Sequence, residues 1–347
     1  MRVALDLNPL TVHKGRGIGF YTQRLSTALV ALAKQKKDFS LTTFKAKLPP
    51  VDLIHLPGFT LFSKPTKAPS LPLVITVHDL IPLDYPKHFP LGLKGKLIWY
   101  LQKKWLRLAK AIITDSKASK KSIIKHTGID AKKIHVIYLA ADKIFTTLNS
   151  QTRLKAIQKR YQLPDKFVLY VGDLNWNKNI IALSNSCLKL NLPLVVIGKQ
   201  TFKDNYDRSH PENQDLRTFQ SMAKTNPNQI IRIGFVPTSD LVAIYNLATI
   251  YAQPSRAEGF GLPILEAFAC GCPVITSKFT STEEIAGQAA LLINPNKDKE
   301  LSSALKKLWN NPALRTKLSK LGLKQAKLFT WEKTAQQTYA VYQQALR

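Results

Sequence analysis

The feature that most constrains the fold is an alternation that runs through the sequence twice. Short apolar runs rich in β-branched residues occur at 2–8 (RVALDLN), 39–44, 52–57, 73–79 (LVITVHD), 111–116 (AIITDS) and 134–139. A second set follows at 167–172 (FVLYVG), 192–198, 229–235, 248–255 (ATIYAQPS), 273–277 and 289–295, and longer amphipathic stretches separate the runs throughout. This pattern predicts an α/β chain of two parallel-sheet units, each covered by helices on both faces. A length of 347 residues agrees, being too much for one ordinary core at about 150 residues per domain. The polar stretch TTLNSQTR after Asp142 places the boundary within 143–165, giving units at 1–150 and 151–330. At the end of the chain Thr330 can cap a last helix that sets Trp331, Ala335, Tyr339 and Tyr342 on one face.

Composition removes several classes of protein. The opening MRVALDLNPL is broken by Asp6, Asn8 and Pro9 and reads as a first strand rather than a secretory signal. No stretch reaches the ~20 apolar residues a membrane span needs, so the chain is expected to work in the cytoplasm. Cys187, Cys270 and Cys272 are a poor disulfide framework and are expected as reduced thiols. Charge is the unusual property, with 51 Lys and Arg against 22 Asp and Glu. Between residues 87 and 133 stand 13 basic side chains and only Asp115 and Asp130 opposite in sign. Such a field attracts polyanions, whether nucleic acid, anionic lipid or sugar nucleotide, without choosing among them.

The most informative segment is ATIYAQPSRAEGFGLPILEAFACGCPVIT, residues 248–276. A strand is expected to end at Pro254 and a glycine turn to follow. A helix then opens with Pro263 at its first position and stops at Gly271. A helix tip at the carboxyl edge of such a sheet favours anions, through its free amides and its dipole. Glu258 in the loop and Glu266, expected in the first helical turn, flank that place; carboxylates beside an anion site are useful if they face hydroxyls, which sugars and ribose supply.

Glu258 and Glu266, with seven residues between them, and Gly259, Phe260, Gly261, Leu262 and Pro263 resemble the E-x7-E signature of family 4 retaining glycosyltransferases. The resemblance covers nearly the whole chain. It implies the GT-B fold, two Rossmann-like domains facing across a cleft, with the first taking the acceptor and the second the nucleotide sugar. The terminal helix 331–347 is expected to cross back onto the first. By the same resemblance Glu258 and the amides after it hold the donor sugar, and Glu266 holds the ribose. In GRGIGFYTQRL, Gly17, Ile18 and Gly19 bring backbone to the ligands. His78, at the end of ITVHD, lies against the donor sugar. In YVGDLNWNKNI, Gly172 and Lys178 belong to the diphosphate-binding turn. The pattern departs here, for Asn177 stands where an arginine is common and Asp173 where some members have a basic residue. Arg256 is left with a default surface role, and His55 with that of an ordinary structural histidine.

No two of the fifteen aspartates are separated by one residue, so the Asp-x-Asp metal triplet of other sugar transferases is absent. Lys178, amides and a helix tip are therefore expected to meet the diphosphate charge, with no metal and no cofactor. The expected reaction is the retaining transfer of a mannose- or glucose-like hexose to a glycan or lipid-linked acceptor in cell-surface polysaccharide synthesis. The leaving phosphate would help deprotonate the acceptor. A GT-B epimerase and a basic nucleic-acid-binding protein are the alternatives, though no nucleic-acid motif is present, so no nucleic-acid partner is expected. In LGLKGKLIWYLQKKWLRLAK, residues 91–110, Leu97, Leu101, Trp105 and Leu108 fall at helical spacing among lysines. This suits peripheral contact with an anionic membrane at its inner face; the alternative, an internal helix with a solvated basic side, is the default reading.

Overall fold

The computed structural model describes residues 1–12, 17–61, 63 and 70–347; Gly15 and Arg16 of the glycine loop, and His13, lie outside them. The chain divides into two compact units, Met1–Ala140 with Phe329–Arg347, and Ala141–Leu328. The change falls before the expected residue 150 because the segment from 141 is tied to the second unit. Leu148 N donates to Asn246 Oδ1 at 2.8 Å, Asn246 Nδ2 donates to Thr146 O at 3.0 Å, and Phe145 meets the Tyr245 ring edge-on.

In the first unit the strands are β1 (Arg2–Asp6), β2 (Ser40–Phe44), β3 (Leu53–Leu56), β4 (Leu73–Thr76), β5 (Ala111–Thr114) and β6 (Ile134–Val136). They form a wholly parallel sheet in the order β2-β1-β3-β4-β5-β6. The second unit carries β7 (Val168–Val171), β8 (Leu194–Ile197), β9 (Ile230–Ile233), β10 (Ile250–Gln253), β11 (Val274–Ser277) and β12 (Ala290–Ile293). Its parallel order is β12-β11-β10-β7-β8-β9. Each strand lies within one of the apolar runs read from the sequence. Strands β4, β5, β8, β10 and β11 are buried along their whole length, which is why they read as unbroken apolar segments rather than alternating ones.

Strand order reverses between β1 and β3 in one unit and between β7 and β10 in the other. At such a point successive crossovers leave on opposite sides, which opens a crevice at the carboxyl ends of the two strands. The segments that follow these strands carry most of the residues singled out above.

The helix Trp331–Ala345, with Lys333 N donating to the Thr330 hydroxyl at 3.2 Å, belongs to the first unit. It packs beside the helix Gly17–Gln35, where Trp331 contacts the rings of Phe20 and Tyr21. Tyr342 Oη lies 2.7 Å from His55 Nδ1, and His55 Nε2 lies 2.8 Å from Thr76 Oγ1. Burial holds the imidazole neutral, with its pKa lowered to about 3. His55 is thus a structural linchpin between β3, β4 and the terminal helix.

Cys187, Cys270 and Cys272 are free and buried. Among the described residues no helix is long and apolar enough to cross a membrane. Trp105 departs from its sequence reading: it turns half-buried against the core, while Leu97, Leu101 and Leu108 stay exposed. The core takes the face of the Gly92–Leu106 helix that carries Gly95, Ile98, Gln102 and Leu106.

Candidate active site

In the second unit the turn after β7 and the loop after β10 are brought level by register, Tyr251 pairing with Leu169. Gly172 follows β7 with φ of 149°, and a Cβ on Gly198, at the end of β8, would collide with the Gly172 carbonyl oxygen. Glycine at 198 therefore lets two strand ends approach to backbone contact. The chain then makes a short 3-10 turn, Trp176–Lys178, and Asn179 takes a left-handed conformation with φ of 58°. Asn179 Nδ2 donates to the carbonyls of Pro254 at 3.0 Å and Pro295 at 2.9 Å, locking this turn to the loop after β10.

That loop presents Glu258. Its Oε1 accepts from Gln253 Nε2 and from the Ser255 hydroxyl, each at 2.7 Å, and its Oε2 accepts from Lys178 Nζ at 2.7 Å. The Tyr251 hydroxyl donates to Gln253 Oε1 at 2.8 Å, which orients the amide so that its NH2 faces the carboxylate. Glu258 is only 7% exposed and Lys178 23%. Separating such a pair with nothing in exchange costs roughly 1–3 kcal/mol. A ligand that offers hydroxyls to the acid and phosphate oxygens to the lysine replaces both partners at once.

Ser281 holds the loop from behind, its hydroxyl lying 2.8 Å from Glu258 O and 2.9 Å from Phe260 O. Gly259, Phe260 and Gly261 are buried, and Gly261 is the N-cap of the helix Leu262–Ala269 with φ of 116°. No side chain caps this helix. It starts at Leu262, so Pro263 is its second residue, and Glu266 stands in the second turn rather than the first.

Glu266 is partly buried, and burial pushes its pKa up to about 7 although the Tyr245 hydroxyl donates to Oε2 at 3.0 Å. Tyr245 packs edge-on against Tyr251 at 5.5 Å. The two acids are therefore joined through Tyr245, Tyr251 and Gln253 at one end of the sheet.

The departures from the family pattern have structural reasons. Asn177 is buried and donates from Nδ2 to Ala257 O at 3.0 Å, while its carbonyl accepts from Arg256 N at 2.7 Å. It clips the two loops together. Arg256 is not the surface residue expected: its guanidinium lies over the Trp176 ring, 5.1 Å from the centroid, and donates to Trp176 O at 2.9 Å. Asp173 is exposed, and Tyr170 Oη donates to its carbonyl at 2.5 Å. Glu283, at the start of the helix Ser281–Ala286, accepts from Phe279 N at 2.7 Å.

In the first unit β4 and β5 pair with Thr76 opposite Ile113, which sets His78 level with Asp115 two residues further on. His78 Nδ1 lies 2.5 Å from Asp115 Oδ2, Nε2 lies 3.2 Å from Pro57 O, and the ring stands edge-on to Tyr21. Burial disfavours the imidazolium, but the Asp115 carboxylate outweighs it, and the His78 pKa is raised. Two acceptors on two ring nitrogens fit a ring that carries both protons, so His78 is arranged as a donor rather than a base. Gly17 begins the helix Gly17–Gln35, Gly19 is buried within it, and a Cβ on Gly58 would press on the Ile18 methyl at 2.9 Å.

The sequence reading missed Asp115, Gln253, Ser255, Ser281 and Tyr245. For Asp115 a signal existed, an acid closing the strand AIITDS. For the others only the packing assembles the partners.

Two parallel α/β units, each with one strand-order reversal, define the doubly wound, Rossmann-like class of fold. Known families narrow this. Residues 151–325 match the family of glycosyl transferases group 1, and residues 16–143 match glycosyltransferase family 4. O-antigen chain mannosyltransferase B of Escherichia coli is 31% identical over 301 residues, 84% of this chain and 74% of that one. Serotype-specific mannosyltransferase WbdA of Escherichia coli is 30% identical over 76% of this chain, which spans 32% of that longer protein. Among solved structures, HepE of Anabaena in complex with UDP-glucose superposes with a TM-score of 0.72 at 17% identity, covering 99% of both chains. The chain belongs to glycosyltransferase family 4, and its fold is that of the GT-B enzymes.

Proposed function

We propose that this chain is a retaining, metal-independent hexosyltransferase. It takes a mannose- or glucose-like sugar from a nucleotide-diphosphate donor and passes it to a glycan or lipid-linked acceptor in cell-surface polysaccharide synthesis, working in the cytoplasm. The observation that carries this reading is the Glu258 carboxylate, held by Lys178, Gln253 and Ser255 beside an uncapped helix start. Sugar hydroxyls replace the donors on Glu258, the released Lys178 turns to the diphosphate, and the amides at the helix tip take further phosphate oxygens. Glu266 accepts ribose hydroxyls. His78, as a donor, supports the departing group or the sugar, and the leaving phosphate takes the acceptor proton.

Mannose as the sugar is supported by the two mannosyltransferase relatives, and a nucleotide sugar as donor by the UDP-glucose in HepE. Metal independence is supported by the missing Asp-x-Asp triplet. No group of three His, Cys, Asp or Glu side chains suited to a cation occurs among the described residues.

The test is transfer by the EDTA-treated full chain from GDP-mannose and UDP-glucose to a lipid-linked oligosaccharide, with the product anomer assigned by NMR. Turnover in EDTA with an α-linked product is expected. A dead enzyme restored by Mn²⁺ rejects metal independence, a β-linked product rejects retention, and failure to bind UDP, GDP or ADP in calorimetry rejects the whole reading.

A further inference from the structure

The helix Gly92–Leu106 has two apolar faces, and the fold uses one of them. Gly95, Ile98, Gln102 and Leu106 turn inward. On the opposite side Leu93 is 86% exposed, Leu97 62%, Tyr100 54% and Leu101 42%, with Leu108, just past the end, at 60%. At 3.6 residues per turn these side chains fall within an arc of roughly 100°. Basic residues line both borders of this arc, Lys96, Lys103 and Arg107 on one side and Lys94 on the other; Lys104 lies inside it, its ammonium 4.4 Å above the Tyr100 ring. The helix contains no acid.

We propose that this face is a docking surface for an anionic lipid bilayer, lying in the plane of the headgroups. The leucines enter the acyl boundary, Tyr100 sits at headgroup level, and the lysines reach outward to lipid phosphates while their stems cover apolar surface. Chemistry selects this occupant over the others. A second copy of the chain would bring two rows of lysines together, and a nucleic acid would satisfy the lysines but leave four leucines in water. An acidic protein would need a matching apolar groove, whereas a bilayer supplies anionic charge and hydrocarbon over any length of helix. The excess of 13 basic over two acidic side chains across 87–133 adds long-range attraction of the same sign.

The test is co-sedimentation of the full chain with vesicles of phosphatidylcholine alone or mixed with phosphatidylglycerol, compared with Leu97→Gln/Leu101→Gln and Lys96→Gln/Lys103→Gln. All four positions contribute side chains to the outer face, and equal melting temperatures check that the variants fold. The wild type is expected to bind only the anionic vesicles, less as salt rises. Each double variant is expected to bind about tenfold more weakly or worse. Binding that ignores lipid charge, or that survives the leucine substitutions, overturns the proposal. So does an oligonucleotide that competes fully for the surface and needs the lysines alone. Because vesicle binding is read without turnover, the outcome is separate from that of the transfer assay.

Discussion

Glu266 is a side chain whose burial couples the fold to pH. Its pKa of about 7 against an ordinary 4.5 means the folded, ligand-free protein keeps a proton that the unfolded chain has lost. The sign follows: stability from this group is full below about 4.5 and declines as pH rises toward 7. If Glu266 holds the ribose as proposed, the ribose hydroxyls donate to the ionised form, and nucleotide binding should release the proton and tighten as pH rises from 6 to 8, by up to about tenfold per unit below the pKa. Glu266→Gln should bind nucleotide at least about tenfold more weakly, lose that pH dependence, and melt higher than wild type above pH 7. Calorimetry and melting curves at several pH values check all three; a variant with wild-type affinity would remove Glu266 from the ribose. Asp115 acts through His78, whose Nδ1 lies 2.5 Å from Asp115 Oδ2. Asp115→Asn removes the main charge that favours the imidazolium, so the His78 pKa should fall, with only the Pro57 carbonyl and Asp79 left to oppose burial. NMR titration of the His78 ring reads this directly. If His78 is the donor proposed, the variant's transfer rate should fall off at lower pH than wild type while nucleotide affinity is kept.

At the scale of elements, the terminal helix is held by one hydrogen bond inside the core and another near its surface. Tyr342 and His55 satisfy each other in a site without water access, and Tyr339 Oη donates to Asp38 at 2.6 Å. Tyr342→Phe keeps the ring packing but leaves a buried imidazole nitrogen unpaired. We expect a loss of about 1–3 kcal/mol in urea unfolding, where an exposed tyrosine would give almost nothing. The amphipathic pattern that gave this helix its inward face was readable as a spacing of Trp331, Ala335, Tyr339 and Tyr342. Its partners were not readable, because His55 and Asp38 lie about three hundred positions away in sequence. The same limit explains Trp105. Periodicity put it on one apolar face with Leu97, Leu101 and Leu108, and only the position of the sheet beneath the helix decided which arc was covered.

For the whole molecule, the units differ in continuity. Ala141–Leu328 is an unbroken stretch with its own sheet and core, whereas the first unit is completed by Phe329–Arg347. Residues 141–328 expressed alone should therefore fold cooperatively and bind nucleotide, with the same loss on Glu266→Gln. Residues 1–140 alone should expose Tyr21 and His55 and fail to give a cooperative melt. Circular dichroism and calorimetry on the two fragments decide this, and a well-folded 1–140 would show the terminal helix to be dispensable. An expected boundary at residue 150 would have cut the Thr146 and Leu148 hydrogen bonds to Asn246, which the chain order gave no means of locating.

By itself the sequence determined the architecture. Runs of β-branched residues and amphipathic stretches are local properties, so the twelve strands among the described residues and their two parallel sheets were legible. So was the family, because glycines, prolines and paired acids at fixed spacing are also local. Only the tertiary structure decided what those residues touch. Strand register set His78 against Asp115, loop packing gave Glu258 its cage of Lys178, Gln253 and Ser255, and burial raised Glu266 to about 7. Hydrogen bonds and desolvation act through space, and no spacing along a chain encodes which distant side chain will arrive within 3 Å.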